Sequence, residues 1–97
     1  MKYAVNVTLQ AEKDIRAIYE YIALSLLSPE NAAAQLSGLE ARINSLDSLP
    51  KRFPKYKNEI RSMPVDHYLV FYTADDSTKS VSVLRVMYGK RDIEKLV

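Results

Sequence analysis

The sequence predicts an α+β fold in which a helical hairpin packs on one face of a small, largely antiparallel sheet. Three observations carry this. The stretch Met1 to Leu9 alternates apolar and polar side chains, two later stretches place apolar residues three and four apart, and the last third holds short β-rich runs separated by polar turns. With 97 residues, 47% of them hydrophobic, the chain makes one domain spanning residues 1–97, near the lower end of sizes that bury an adequate core without staples.

Tyr3, Val5, Val7 and Leu9 alternate against Lys2, Ala4, Asn6 and Thr8, the period of a strand with one buried face. From Gln10 the period changes. Ile15, Ile18, Ile22 and Leu26 fall at helical spacing, which predicts an amphipathic helix over residues 10–27 with Thr8 as N-cap and Glu12 and Asp14 near its positive end. Ser28-Pro29-Glu30 resets the helix, because serine caps well and proline suits the first helical position. Ala32, Leu36, Leu39, Ile43 and Leu46 then give a second apolar seam that matches the first, hence a hairpin. Residues 51–58, flanked and interrupted by Pro50 and Pro54, read as a connecting loop.

Beyond the loop come Ile60 to Val65, Tyr68 to Ala74 and Ser80 to Tyr88, a meander of three strands. Pro64 lacks an N–H, so the first of these is an edge strand or ends at the proline. Both alternating sets of Tyr68 to Ala74 are largely apolar, which marks a strand covered on both faces or central in the sheet.

Composition excludes several functions. Without cysteine, and with one histidine, the chain offers neither disulfides nor a zinc site. No apolar run is long enough to span a membrane and no leader pattern opens the chain, so a cytoplasmic protein is expected. The net charge of +2 is unevenly spread: residues 1–50 hold four Lys/Arg against six Asp/Glu, or −2, and residues 51–97 hold ten against six, or +4. Lys51, Arg52, Lys55, Lys57 and Arg61 cluster around a single acid, Glu59, as either a surface for phosphate or an acidic partner, or a solvated basic loop.

One arrangement goes further. Arg61-x-Met63-x-Val65-x-x-Tyr68-x-Val70-Phe71-Tyr72, a polar turn, then Val83-Leu84-Arg85-Val86-Met87-Tyr88-Gly89-Lys90-Arg91-Asp92 resembles the C-terminal half of the RelE/ParE toxins of type II toxin–antitoxin modules, which include plasmid stabilisation proteins. The strand and helical hairpin before it agree with that family's β-α-α-β-β-β order, so the resemblance spans the chain. It implies a growth-inhibiting toxin held by a cognate acidic antitoxin. It also implies an activity, for which ribosome-dependent cleavage of messenger RNA, without metal or other cofactor, stands slightly ahead of DNA gyrase inhibition; an inactive relative that only binds antitoxin is the third reading.

Cleavage by attack of the ribose 2′-oxygen needs a base, cations for the phosphorane charge and an acid for the leaving oxygen. By the resemblance, the catalytic candidates are Arg61, Arg85, Tyr88 and Arg91, with Lys51, Arg52, Lys55, Lys57, His67 and Lys90 as RNA-binding residues. Arg85 interrupts an apolar strand, where by period two it shares a face with Val81, Val83 and Met87; it serves a site or pairs with a carboxylate. Tyr88 stacks on a base or donates a proton, or belongs to the core or its rim. His67, the one histidine and so the residue type whose unperturbed pKa lies nearest neutrality, serves the site or is a solvated turn residue. In one respect the chain departs from the nuclease pattern: Leu69 follows Tyr68 where nuclease members carry arginine.

Overall fold

The computed structural model of the protein describes residues 2–88. Strand β1 (Ala4–Val7) leads through Thr8 into helix α1 (Leu9–Glu20), which widens into a π turn (Tyr21–Ser25) before helix α2 (Pro29–Asn44) returns. Short 3-10 turns at Ser45–Asp47 and Pro50–Arg52 precede β2 (Lys55–Lys57), β3 (Ile60–Val65), β4 (Tyr68–Asp75) and β5 (Ser80–Tyr88). The strands form one sheet in the order β1-β5-β4-β3-β2, antiparallel except where β1 runs parallel to β5.

The hairpin lies on one face of this sheet, as expected, and the sheet has a strand that the pattern concealed. Lys55-Tyr56-Lys57 reads as polar loop because two of its three residues are lysine; its extended form comes from pairing Lys55 with Arg61 and Lys57 with Ile60. That short pairing also explains how β3 accommodates Pro64, which lies beyond the end of β2 and opposite Leu69 of β4. Between the close pairs of an antiparallel ladder, backbone groups face away from the partner strand, so no ladder N–H is lost there. The Pro64 carbonyl instead accepts from Arg42 Nη2 of α2 at 3.3 Å.

The core is built from Ala11, Leu39, Ile43 and Leu46 on the helical side and Met63, Val65, Tyr68, Val70, Tyr72, Val81, Val83 and Val86 on the sheet. β4 is the middle strand, and Phe71 is buried on it alongside Val70 and Tyr72, so both its faces are covered. On β5 the simple alternation fails. Phe71 pairs with Arg85 and Tyr72 with Val83, leaving Leu84 as the extra residue of a β-bulge. Val86, not Arg85, therefore joins Val81 and Val83 in the core.

α1 starts where its cap predicts: Thr8 Oγ1 accepts from the Ala11 N–H at 3.2 Å. Its end differs. The π turn adds roughly one residue to the helical repeat, so Ile22 stays buried while Leu26 leaves the seam and is exposed. The chain then closes a Schellman-like stop, with the Ser28 N–H on the Ile22 carbonyl at 3.1 Å and Leu27 at φ 51°. Glycine normally occupies that left-handed position, because a side chain there crowds the carbonyl. Leu27 is 83% exposed and gains little packing in return. Leu27→Gly should therefore raise stability by about 0.5–1 kcal/mol after allowing for the entropy of glycine in the unfolded chain. Thermal unfolding should show a melting temperature higher by a few degrees.

Candidate functional site

The basic stretch is held rigidly by its own cations. Tyr72, buried on β4, donates its hydroxyl to the Pro50 carbonyl. Arg61, opposite Tyr72 in register, donates from Nη1 to the carbonyls of Phe53 at 2.7 Å and Lys51 at 3.1 Å. Arg52 turns back onto the carbonyls of Ser48 and Leu49 and stacks its guanidinium 4.8 Å from the Phe53 ring centroid. Burial raises the Tyr72 pKa, and the positive charges of Arg61 and Arg52 partly oppose it. Lys51 pairs with Asp76 in the β4–β5 turn, and Lys55 with Glu59 at 3.3 Å. Lys55 and Lys57 both project from β2 into solvent.

A second cluster forms where β1 stops. β1 pairs with Ser80 to Val83, and the remaining half of β5 is met by the start of α1. Thr8 donates from its backbone to the Val83 carbonyl at 3.1 Å, and from its hydroxyl to the same oxygen at 2.9 Å. Asp14 then accepts from the Val86 N–H at 3.0 Å and from Arg85 Nε at 2.8 Å and Nη2 at 3.2 Å. The bulge aims Arg85 at this carboxylate, so of the two roles the sequence left open, the structure supplies the carboxylate partner.

The third cluster is aromatic and lies at the far end of the sheet. Tyr88 pairs with Tyr68, their rings 5.5 Å apart and edge-on, and the exposed His67 ring stands 6.4 Å from Tyr88. Burial, then Tyr88, Asp66 and Tyr21, raise the Tyr68 pKa, and Tyr68 lines a small cleft with Ile18 and Tyr19 near the end of α1.

The register keeps the sequence candidates apart. Tyr88 shares a row with Tyr68 and Val65, whereas Arg61 lies four residues back along β3, about 13 Å along the strands and two strands across. Lys90 and Arg91 lie outside the described residues. Period-two reading missed the bulge, and although it left a carboxylate partner open for Arg85 it did not single out Asp14. An open groove of about 380 Å³ between the helices has Val7, Ile15 and Ile43 on its floor and Glu12, Arg16 and Glu40 at its rim. Among the described residues no acidic or histidine group could hold a metal ion, and no helix is long and apolar enough to cross a membrane.

The family model for the ParE toxin of the type II toxin–antitoxin system parDE matches residues 5–93. The chain belongs to this toxin family. Its fold matches the toxin fold of a chromosomal ParDE system from P. aeruginosa with a TM-score of 0.77 at 18% identity, over 92% of this chain and 98% of that one. Against the free E. coli toxin RelE, solved as a double mutant, the TM-score is 0.68 at 12% identity with complete coverage of both chains. A RelBE toxin–antitoxin complex from Mycobacterium tuberculosis gives 0.65 at 23% identity, over 91% and 99%. No curated protein sequence matches the chain. The RelE/ParE resemblance and the α+β fold it implied are thus correct.

Two stability predictions follow from these contacts. Asp14→Ala should destabilise the ParE-family chain by about 1.5–3 kcal/mol, the range for a charge-assisted bond whose partners stay partly buried. In a double-mutant cycle with Arg85→Ala, denaturant unfolding should give a coupling of at least 0.5 kcal/mol. The second concerns pH. Hydrogen bonds from Lys51 and Tyr3 hold the Asp76 carboxyl below the ordinary 3.8. A depressed native pKa adds stability at neutral pH that is lost as pH falls through it. Asp76→Asn should thus melt slightly below wild type at pH 7 and converge with it near pH 2, the effect being small because the carboxylate is exposed.

Proposed function

We propose that this toxin acts by binding DNA gyrase, and that a separately encoded acidic antitoxin neutralises it. The observation that carries the reading is the commitment of Arg61 and Arg85: one clamps the loop carbonyls of Lys51 and Phe53, the other is paired with Asp14 of α1, so the two are engaged by different elements. Stabilising a phosphorane requires cations aimed together at one spot. Leu69 after Tyr68 removes a further expected phosphate contact, and the match to the ParE model agrees with a route that needs no such centre. The antitoxin part rests on the charge of +4 on residues 51–97, which favours encounter with an acidic, disordered ligand that folds on binding.

Messenger-RNA cleavage on the ribosome is the second reading, favoured by a separate observation. Lys55 and Lys57 of the edge strand β2 are both exposed, and Lys55 is paired in register with Arg61.

The two readings separate cleanly in an induction experiment. Expression of the chain alone should arrest growth, with DNA breaks trapped on gyrase while translation declines only later, and the adjacent antitoxin should restore growth. Lys55→Ala with Lys57→Ala should leave this toxicity within about twofold. If instead primer extension finds cut messages on ribosomes, and the double variant loses at least tenfold in cleavage, about 1.4 kcal/mol of transition-state stabilisation, the nuclease reading takes over.

A further inference from the structure

The tip of the helical hairpin has features that fold stability does not account for. Tyr21, Leu24, Leu26 and Leu27 are 59%, 70%, 55% and 83% exposed, four large apolar side chains within seven residues. The tip lies toward the far end of the sheet, because Tyr68 lines a small cleft with Ile18 and Tyr19 of α1 and Ala32 of α2, and its ring packs edge-on against the half-exposed Tyr88. Leu27 also occupies the backbone position where glycine would fold better, so this side chain opposes stability twice, through strain and through exposure. Contiguous apolar surface of this kind on a small soluble domain marks an interaction site.

Charge decides what covers it. From Ala17 to Ala41 the chain has no Lys or Arg, whereas Glu20 and Glu30 flank the tip and Asp66, in the β3–β4 turn by Tyr68, is exposed at the same end. Among the described residues this rim is acidic; it repels phosphates, which argues against nucleic acid and anionic lipid as occupants, and it repels an acidic antitoxin toward the basic end of the molecule. The geometry points to a docking surface for a protein partner that presents an apolar pocket rimmed by Lys or Arg. Resting on the function proposed above, that partner is the toxin's protein target, so target and antitoxin meet opposite ends of the fold.

The test compares wild type with Leu24→Ser/Leu27→Gly in the full chain. The variant keeps the fold, checked by a melting temperature no lower than that of Leu24→Ser alone, and keeps antitoxin binding. The expected result is binding of purified gyrase at least tenfold weaker, with loss of growth arrest on induction. Glu20→Lys/Glu30→Lys should slow association with gyrase at low salt by a similar factor. Gyrase binding and toxicity equal to wild type in the Leu24/Leu27 variant would overturn the proposal. So would a wild-type dimer, seen by sedimentation, that the variant merely dissociates without losing toxicity. If wild type binds no gyrase at all, the gyrase reading fails on its own; the docking surface then stands if the variant loses toxicity and falls if toxicity is unchanged.

Discussion

The seating of the helices on the sheet depends on the unequal lengths of β1 and β5. β5 has nine residues and β1 only four, so half of one edge of β5 has no strand to satisfy it. A buried N–H without a partner costs about 1–3 kcal/mol. Thr8 and Asp14 complete that edge from the start of α1, and in doing so they fix where the helix sits on the sheet. The bulge at Leu84 belongs to the same solution, since it turns Val86 into the core and Arg85 toward the carboxylate. One local mismatch thus sets the helix position and the orientation of an arginine that the sequence offered as catalytic.

The basic segment shows the same economy. Most of its cations bond backbone carbonyls or neighbouring acids, which ties down a stretch that composition alone would describe as a polar loop. A rigid array of charge presents its field in a fixed direction and loses less entropy when a ligand arrives. The net result is a molecule with a stiff basic end and an apolar, acid-rimmed end.

Much of this was legible in the chain. The alternation of Tyr3 to Val7, the seams through Ile15 and Leu39, and the runs from Tyr68 and Ser80 gave the strands and helices close to their observed bounds, because each element buries one continuous apolar set. Illegible were features set by tertiary partners. Lys55 to Lys57 is a strand only because β3 lies beside it. Leu26 is outside the core only because the π turn shifts the repeat, and Leu84 interrupts period two because the pairing of β5 with β4 changes register there. Among the candidate site residues the types were readable, but their convergence was not: Arg61 and Tyr88 lie at different ends of the sheet, a fact of register that spacing along the chain does not carry.

The parallel pairing of β1 with β5 has a consequence for how the protein comes into being. Strand formation at Ala4 to Val7 requires partners at Ser80 to Val83, contacts almost as distant in sequence as the chain permits, and contacts of that kind form late. While the chain is being made from its N-terminus, β1 has no neighbour, Asp14 has no arginine and α1 has no sheet to lie on. The sheet closes only with β5. A chain that ends before β5 therefore lacks the assembled sheet altogether, so no surface that depends on that sheet exists until β5 has been made.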